Sequence, residues 1–218
     1  MPQDTPAFLA PHIHLARCHD DLVVLDVEAD DYALLADAGP LVRFGARPGE
    51  ILADEDVLDD LRALGLLAGA APDAPRLPLP GLAGEIGFAS GPLPLPCLAR
   101  AALDSLVSTA VFARAPFAAL VGTANRRRAT GRPRPDDEEI ANLAGAFQAM
   151  HPWIPFEGDC LQRGYRLHHH LRRSGVPARW VFGVRTWPFL AHCWVQVGDR
   201  VVGDTRERVS SFTPIMAV

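Results

Sequence analysis

Polar and apolar residues alternate over residues 12–18 (HIHLARC), a period of two that predicts a short strand. His19-Asp20 forms the expected turn, and the β-branched run 22–27 (LVVLDV) predicts a second strand. Ala29-Asp30-Asp31 is a further turn, leading into a third strand over 32–35, and residues 34–44 have helical composition. From Asp54 the spacing of Val57, Leu58, Leu61 and Leu64 predicts a helix that Asp54 caps. The first 70 residues therefore read as three small strands followed by two or three helices. Residues 71–80 (APDAPRLPLP) carry four prolines, which forbid helix interior and central strand and mark a linker.

After the linker the period becomes helical. Residues 95–114 form an expected helix with a packed stripe of Leu98, Ala101, Ala102, Ser105 and Leu106. A basic loop at 125–135 carries five arginines. Asp136, with Glu139 three residues on, begins a helix that runs to Met150. Two prolines and a glycine break residues 151–159, and Cys160 opens the next helix, to Arg173. Three strands close the pattern, over 179–185, 191–197 and 200–204.

Composition narrows the class. Hydrophobic residues are 49% and charged residues 22%, which suits a globular chain with a sizeable core. The apolar stretch 93–121 holds Arg100, Asp104 and Arg114, which argues for a soluble helix over a membrane span. The first residues lack the basic start and apolar run of a secretory signal, so a cytoplasmic protein is expected. Cysteines 18, 97, 160 and 193 are scattered without CxxC pairing, which disfavours a metal centre and suits a reducing compartment. Residues 1–80 contain 15 acids and five arginines; the remainder contains 11 acids and 16 arginines, and lysine is absent. This asymmetry points either to two units with different partners or to two solvated surfaces of opposite sign. The acidic balance disfavours nucleic acid.

Chemistry concentrates near the C-terminus. A thiol in the first turn of a helix meets unpaired N–H groups and the positive end of the dipole, which stabilise a thiolate. Cys160 holds that position; the bland alternative is a buried, inert cysteine. On the 191–197 strand His192, Trp194 and Gln196 share one face and Cys193, Val195 and Val197 the other, which makes Cys193 a packing residue. A hydrogen-bonded carboxylate fixes the tautomer of a catalytic imidazole, and Asp204 is the candidate. For Asp204 to stand directly opposite His192 the hairpin needs a three-residue loop or a bulge. A two-residue Gly198-Asp199 turn places Asp204 on the Cys193 face instead. His168, His169 and His170 fan around a helix and do not converge on one ion, so they read as surface or partly buried. The arginine loop reads as solvated, and Trp153 and Trp187 read as walls of a substrate cleft.

Cys160-Leu161 opening a helix, then Leu171-Arg-Arg-Ser-Gly-Val-Pro-Ala, Phe182-Gly-Val, Ala191-His-Cys-Trp-Val and Asp204, together resemble the B proteins of lasso peptide biosynthesis. These are transglutaminase-like leader peptidases. The resemblance covers about residues 150–218 and is weakest over 80–150. Cys193 departs from it, since small residues such as alanine are usual there. The N-terminal residues, with Leu22-Val-Val-Leu-Asp and Tyr32, resemble the leader-recognition domain of the same proteins.

The resemblance implies an α+β chain. A small winged-helix-like leader-recognition domain (1–70) and a Pro-rich linker (71–80) would precede a papain-like cysteine protease domain (81–218). It implies a triad of Cys160, His192 and Asp204, and leader binding by strand addition at Tyr32, Ala33, Leu34 and Leu35 beside Leu58 and Leu61. It also implies a precursor peptide and a lasso cyclase as partners, with no metal, no membrane and no nucleic acid. Cofactors are not expected, ATP dependence being implied by the family alone. Two other classes fit the same residues: a non-catalytic peptide-binding chaperone, and an acyl or amide transferase.

Overall fold

The computed structural model describes residues 4–71, 76–126, 134–150, 152 and 160–218. Two compact units divide the chain. One holds Met1–Leu79 with Val184–Leu190 and Thr213–Met216; the other holds Pro80–Gly183 with Ala191–Phe212 and Ala217–Val218. The main division falls at Leu79/Pro80, at the end of the Pro-rich stretch 71–80, and two later segments group with the first unit.

The first unit contains β1 (Thr5–Phe8), β2 (Ile13–Cys18), β3 (Asp21–Asp26), β4 (Asp31–Leu35), a 3-10 turn (Gly39–Leu41), β5 (Arg43–Phe44), β6 (Glu50–Ala53) and α1 (Glu55–Ala63). They build two three-stranded sheets, ordered β1-β6-β5 and β2-β3-β4. Cys18 pairs with Asp21, so His19-Asp20 is the expected two-residue turn, and His19 takes a positive φ of 58° there. In the next turn the Asp26 carboxylate accepts from the Glu28 and Ala29 amides.

The helix expected over 34–44 does not form. Those residues continue β4 to Leu35, then turn through the 3-10 segment into β5. Helical composition loses there to pairing of Leu35 with Leu22 and to burial of Val42. Residues 4–71 hold six strands and one α-helix, where three strands and two or three helices were expected. Asp54 occupies the N-cap of α1, yet its side chain makes no capping hydrogen bond.

The core of this unit gathers Ile13, Leu15, Leu22, Val24, Ile51, Leu58 and Leu61. Leu58 and Leu61 are 0% and 4% exposed, so they close the core and are not open to a peptide. The apolar stripe of α1 has only one face to offer, and the sheets take it. Part of the expected linker, residues 72–75, lies outside the described residues. Arg76 is no free tether: its guanidinium donates to the carbonyls of Ala10 (2.5 Å) and Ile13 (2.6 Å).

The rest of the chain contains β7 (Gly84–Ile86), α2 (Leu95–Phe112), α3 (Phe117–Arg126), α4 (Asp137–Met150), α5 (Cys160–Arg173), β8 (Ala178–Arg185), β9 (Leu190–Val197), β10 (Arg200–Val202), α6 (Arg206–Val209) and β11 (Thr213–Ala217), all of it in the second unit except the residues of β8, β9 and β11 that fall in Val184–Leu190 and Thr213–Met216. The sheet order is β11-β8-β9-β10-β7, with β7 parallel to β10 and β9 antiparallel to it. The short elements β7, α6 and β11 carry too few residues for a periodic signal. At α4, Asp136 accepts from the Glu139 amide at 2.8 Å, half of the expected capping box. Most of the arginine loop, 127–133, lies outside the described residues.

One face of the sheet packs Val195, Val197 and Val202 against Ile140, Phe147, Leu167 and Leu171 of α4 and α5. Helix α2 joins α4 and α5 through a small and polar stripe: Ala101, Asp104, Ser105 and Ser108 are buried and Leu98 and Ala102 half-buried, whereas Leu106 of the expected stripe is exposed, as is Leu103. The reason is electrostatic. Asp104 is 1% exposed, and its carboxylate accepts from His170 Nδ1 (2.8 Å) and pairs with Arg173 Nε (2.7 Å), both on α5. Removing either partner strands a buried charge, so the pair fixes which way α2 turns. By length and mean hydropathy (1.3) α2 is apolar enough to cross a membrane, and this buried cluster gives it instead a defined place in a helix bundle. His168, His169 and His170 are all buried, contrary to expectation, because neighbours surround α5: Trp180 stacks on His168, Tyr165 lies beside His169, and Asp104 takes His170.

Candidate active site

Cys160 is the first residue of α5. The segment before it, with Trp153 and the expected Gly158 or Asp159 cap, lies outside the described residues. Gly164, one turn on, lets α5 approach the sheet. A Cβ there would lie 2.7 Å from Trp180 Nε1 and 3.2 Å from Cys193 Sγ. A cleft of about 190 Å³ opens at this end, lined by Cys160, His192, Cys193, Asp204, Arg163 and Arg208 among others.

His192 lies near the start of β9, 6% exposed, with its ring beside Phe212 (centroids 5.2 Å) and Trp194 (6.1 Å). Its Nε2 is 2.7 Å from Asp204 Oδ2. That bond occupies one ring nitrogen and leaves Nδ1 for Cys160, with which His192 is also hydrogen-bonded. Asp204 is held in turn: its Oδ1 accepts from the Thr205 amide at 2.8 Å.

The register that delivers Asp204 is not the expected one. Arg200 pairs with Val197 and Val202 with Val195, so Gly198-Asp199 is a plain two-residue turn. Continued alternation would send Asp204 to the Cys193 face. The strand instead ends at Val202, and Gly203 adopts a positive φ of 72°. This left-handed corner breaks the period of two and swings Asp204 back to His192. A Cβ on Gly203 would sit 2.8 Å from the Phe88 ring, so the position excludes larger residues on both counts.

Cys160, His192 and Asp204 thus converge as expected. Trp187 does not join them. It lies in the β8–β9 turn, 75% exposed, does not line the cleft, and its indole donates to Asp21 Oδ2 at 2.9 Å within the first unit. The residue that sequence reasoning missed is Cys193. Its single S–H is within reach of the Cys160 carbonyl oxygen, at 3.1 Å, and of the Cys160 sulfur, and its amide also hydrogen-bonds that sulfur. Its one visible signal was its departure from the small residue usual there.

The electrostatics favour an ion pair. The hydrogen bonds from Cys193 and from His192, against the opposing effect of burial, bring the Cys160 thiol down to about 4. Burial pulls the His192 imidazole down, but the Asp204 bond and the Cys160 sulfur outweigh it and hold it above its ordinary value. Burial also opposes ionisation of Asp204, and the His192 bond overcomes it, leaving the carboxyl below its usual range. The thiolate is therefore present above about pH 4 and lost as pH falls through that value. The imidazolium is lost as pH rises through a point above 6.5. Alkylation of Cys160 by iodoacetamide, followed by peptide mass spectrometry, should accordingly reach half its maximal rate near pH 4. A rate that rises only near the ordinary thiol value of about 8.5 would refute the ion pair.

Residues 100–217 match the transglutaminase-like superfamily, more than half of the chain, and the chain belongs to that superfamily. A nucleophilic cysteine hydrogen-bonded to a His that an Asp in turn orients is an arrangement that serves hydrolases and acyl transferases alike. The chain is also similar to the Microcin J25-processing protein McjB of Escherichia coli, with 40% identity over 81 residues. That match spans 36% of this chain and 37% of the relative. No solved structure matches the chain.

Proposed function

We propose that this chain is a cysteine peptidase of lasso peptide biosynthesis that removes the leader from a precursor peptide. The observation that carries this reading is the 2.7 Å bond between His192 Nε2 and Asp204 Oδ2, with Cys160 on the ring's other side. The similarity to a microcin-processing protein supplies the class of substrate.

In this reading the Cys160 thiolate attacks the carbonyl carbon of the last leader residue. The amide of Cys160, in the first described turn of α5, donates to the developing oxyanion. His192 then passes its proton to the departing amine of the core peptide, leaving a thioester on Cys160. Neutral His192 takes a proton from water, the hydroxide attacks the thioester, and the leader leaves as a carboxylic acid. Asp204 keeps Nε2–H as the donor throughout, so the catalytic lone pair is always on the Cys160 side.

The first unit is proposed as the leader-recognition domain. β4 is an outer strand of the β2-β3-β4 sheet; Ala33 and Leu34 on it are exposed and Tyr32 half-buried. An extended leader pairing with that edge gains main-chain hydrogen bonds. The acids of α1, Glu55, Asp56, Asp59 and Asp60, suit a leader with basic residues. A cyclase acting on the freed core, and a cytoplasmic location, complete the proposal.

Incubation with a lasso precursor peptide, leader and core joined, should release intact leader and core, read by mass spectrometry. Added hydroxylamine should be incorporated only as a minor hydroxamate of the leader. A hydroxamate or amide as the main product would favour the transferase, and no product at all would sink the peptidase.

A further inference from the structure

The cleft holds two thiols where hydrolysis needs one. Cys160 and Cys193 are both reduced in this structure. Cys193 Sγ lies 3.1 Å from the Cys160 carbonyl oxygen, and the two side chains are hydrogen-bonded to each other. Their backbones are fixed by different elements, the start of α5 and the middle of β9, and Gly164 opens the space that the Cys193 sulfur fills. Both residues line the cleft, so a small oxidant reaches them from the side that substrate would enter. Packing alone does not require a thiol against the nucleophile, since a methyl group would fill the same place.

We propose that Cys160 and Cys193 form a peroxide-induced, thiol-reversible disulfide that switches the nucleophile off and shields it from irreversible oxidation. The Cys160 thiolate attacks one oxygen of hydrogen peroxide, the O–O bond breaks, and the released hydroxide takes a proton to become water. The sulfenic acid so formed is attacked by Cys193. An S–S bond forms, the S–O bond breaks, and the hydroxyl leaves with the Cys193 proton as a second water. Two thiols are oxidised by one peroxide, and a dithiol such as dithiothreitol returns two electrons and two protons. Cys160 is the thiol oxidised first, being held as the thiolate, and Cys193 is the resolving thiol already in contact. Cys18 has a different setting: it is buried, and its thiol donates to the Val184 carbonyl.

The consequence for catalysis rests on Cys160 being the nucleophile proposed above; the disulfide itself does not. The test uses the full chain treated with a slight excess of hydrogen peroxide, then alkylated, digested and mapped by mass spectrometry. The expected result is a cross-linked pair of peptides containing Cys160 and Cys193, lighter by two hydrogens. Alkylation of Cys160 should fall more than about tenfold and return on adding dithiothreitol. In Cys193→Ala and Cys193→Ser, each compared with its own untreated sample, Cys160 should progress to sulfinic acid and stay unreactive after dithiothreitol. Sulfinic acid at Cys160 of the unaltered chain without the cross-link would overturn the proposal, as would equal recovery in the Cys193 variants. If precursor cleavage is never observed, the cross-link still decides this point. If cleavage stands and the cross-link is missing, only the switch fails.

Discussion

Cys160→Ala is expected to abolish leader removal, lowering kcat/KM on the order of 10⁴–10⁶-fold, while leader affinity stays unchanged. The loss is so large because the triad acts as a unit. Without the sulfur no thioester forms, and the imidazole alone has only water to activate against an unpolarised amide. Cys160→Ser should be nearly as inactive, since a hydroxyl stays protonated where the thiol, with Cys193 and His192 donating to it, ionises at about 4. Affinity should survive because the proposed leader edge, β4, belongs to the first unit, whereas the described residues that line the Cys160 cleft belong to the second. Cleavage is followed by mass spectrometry and leader binding by fluorescence anisotropy. Unchanged processing in Cys160→Ala would transfer the role to a non-catalytic peptide-presenting chaperone.

The three residues of this site were legible because each leaves a local mark. Cys160 follows a run that prolines and glycine keep from being helical, so a helix must begin there. His192 lies on a strand whose alternation is plain, and Asp204 follows a Gly-Asp turn at a distance only a hairpin explains. The path between His192 and Asp204 was not legible, because it depends on the φ of Gly203, and glycine tolerates either sign. Leu58 and Leu61 show where helical periodicity stops informing: it finds an apolar face and is silent on whether protein or peptide covers it. Helix α2 shows a partial success. Ala101 and Ser105 of the expected stripe are buried, but Leu106 is exposed, because the buried Asp104, matched to His170 and Arg173, sets which way the helix turns. That match joins residues 66 apart along the chain, beyond any window of periodicity. Cys193 had the apolar neighbours of a packing residue, and only the approach of α5 at Gly164 sets its sulfur against Cys160.

Asp204→Ala should lower kcat/KM by about 10²–10⁴-fold. Without the carboxylate, His192 is free to place its proton on Nδ1 and present no lone pair to Cys160. Asp204→Asn should lose about as much, because its single amide oxygen is claimed by the Thr205 amide and its NH2 then donates to Nε2, which holds the proton on Nδ1. Gly203→Ala leaves all three functional groups in place and should still approach the alanine variant of Asp204. A non-glycine residue at φ 72° costs about 1–3 kcal/mol, and its Cβ would meet the Phe88 ring at 2.8 Å, so the corner opens and the carboxylate moves off the ring. The iodoacetamide profile supplies a readout that loss of folding does not imitate. Destabilising the imidazolium removes one of the donors to the thiolate, so in both Asp204→Ala and Gly203→Ala the midpoint of Cys160 alkylation should move up from about 4. A Gly203→Ala protein with full activity and an unmoved midpoint would mean that the strand register, and not the left-handed corner, aims Asp204 at His192.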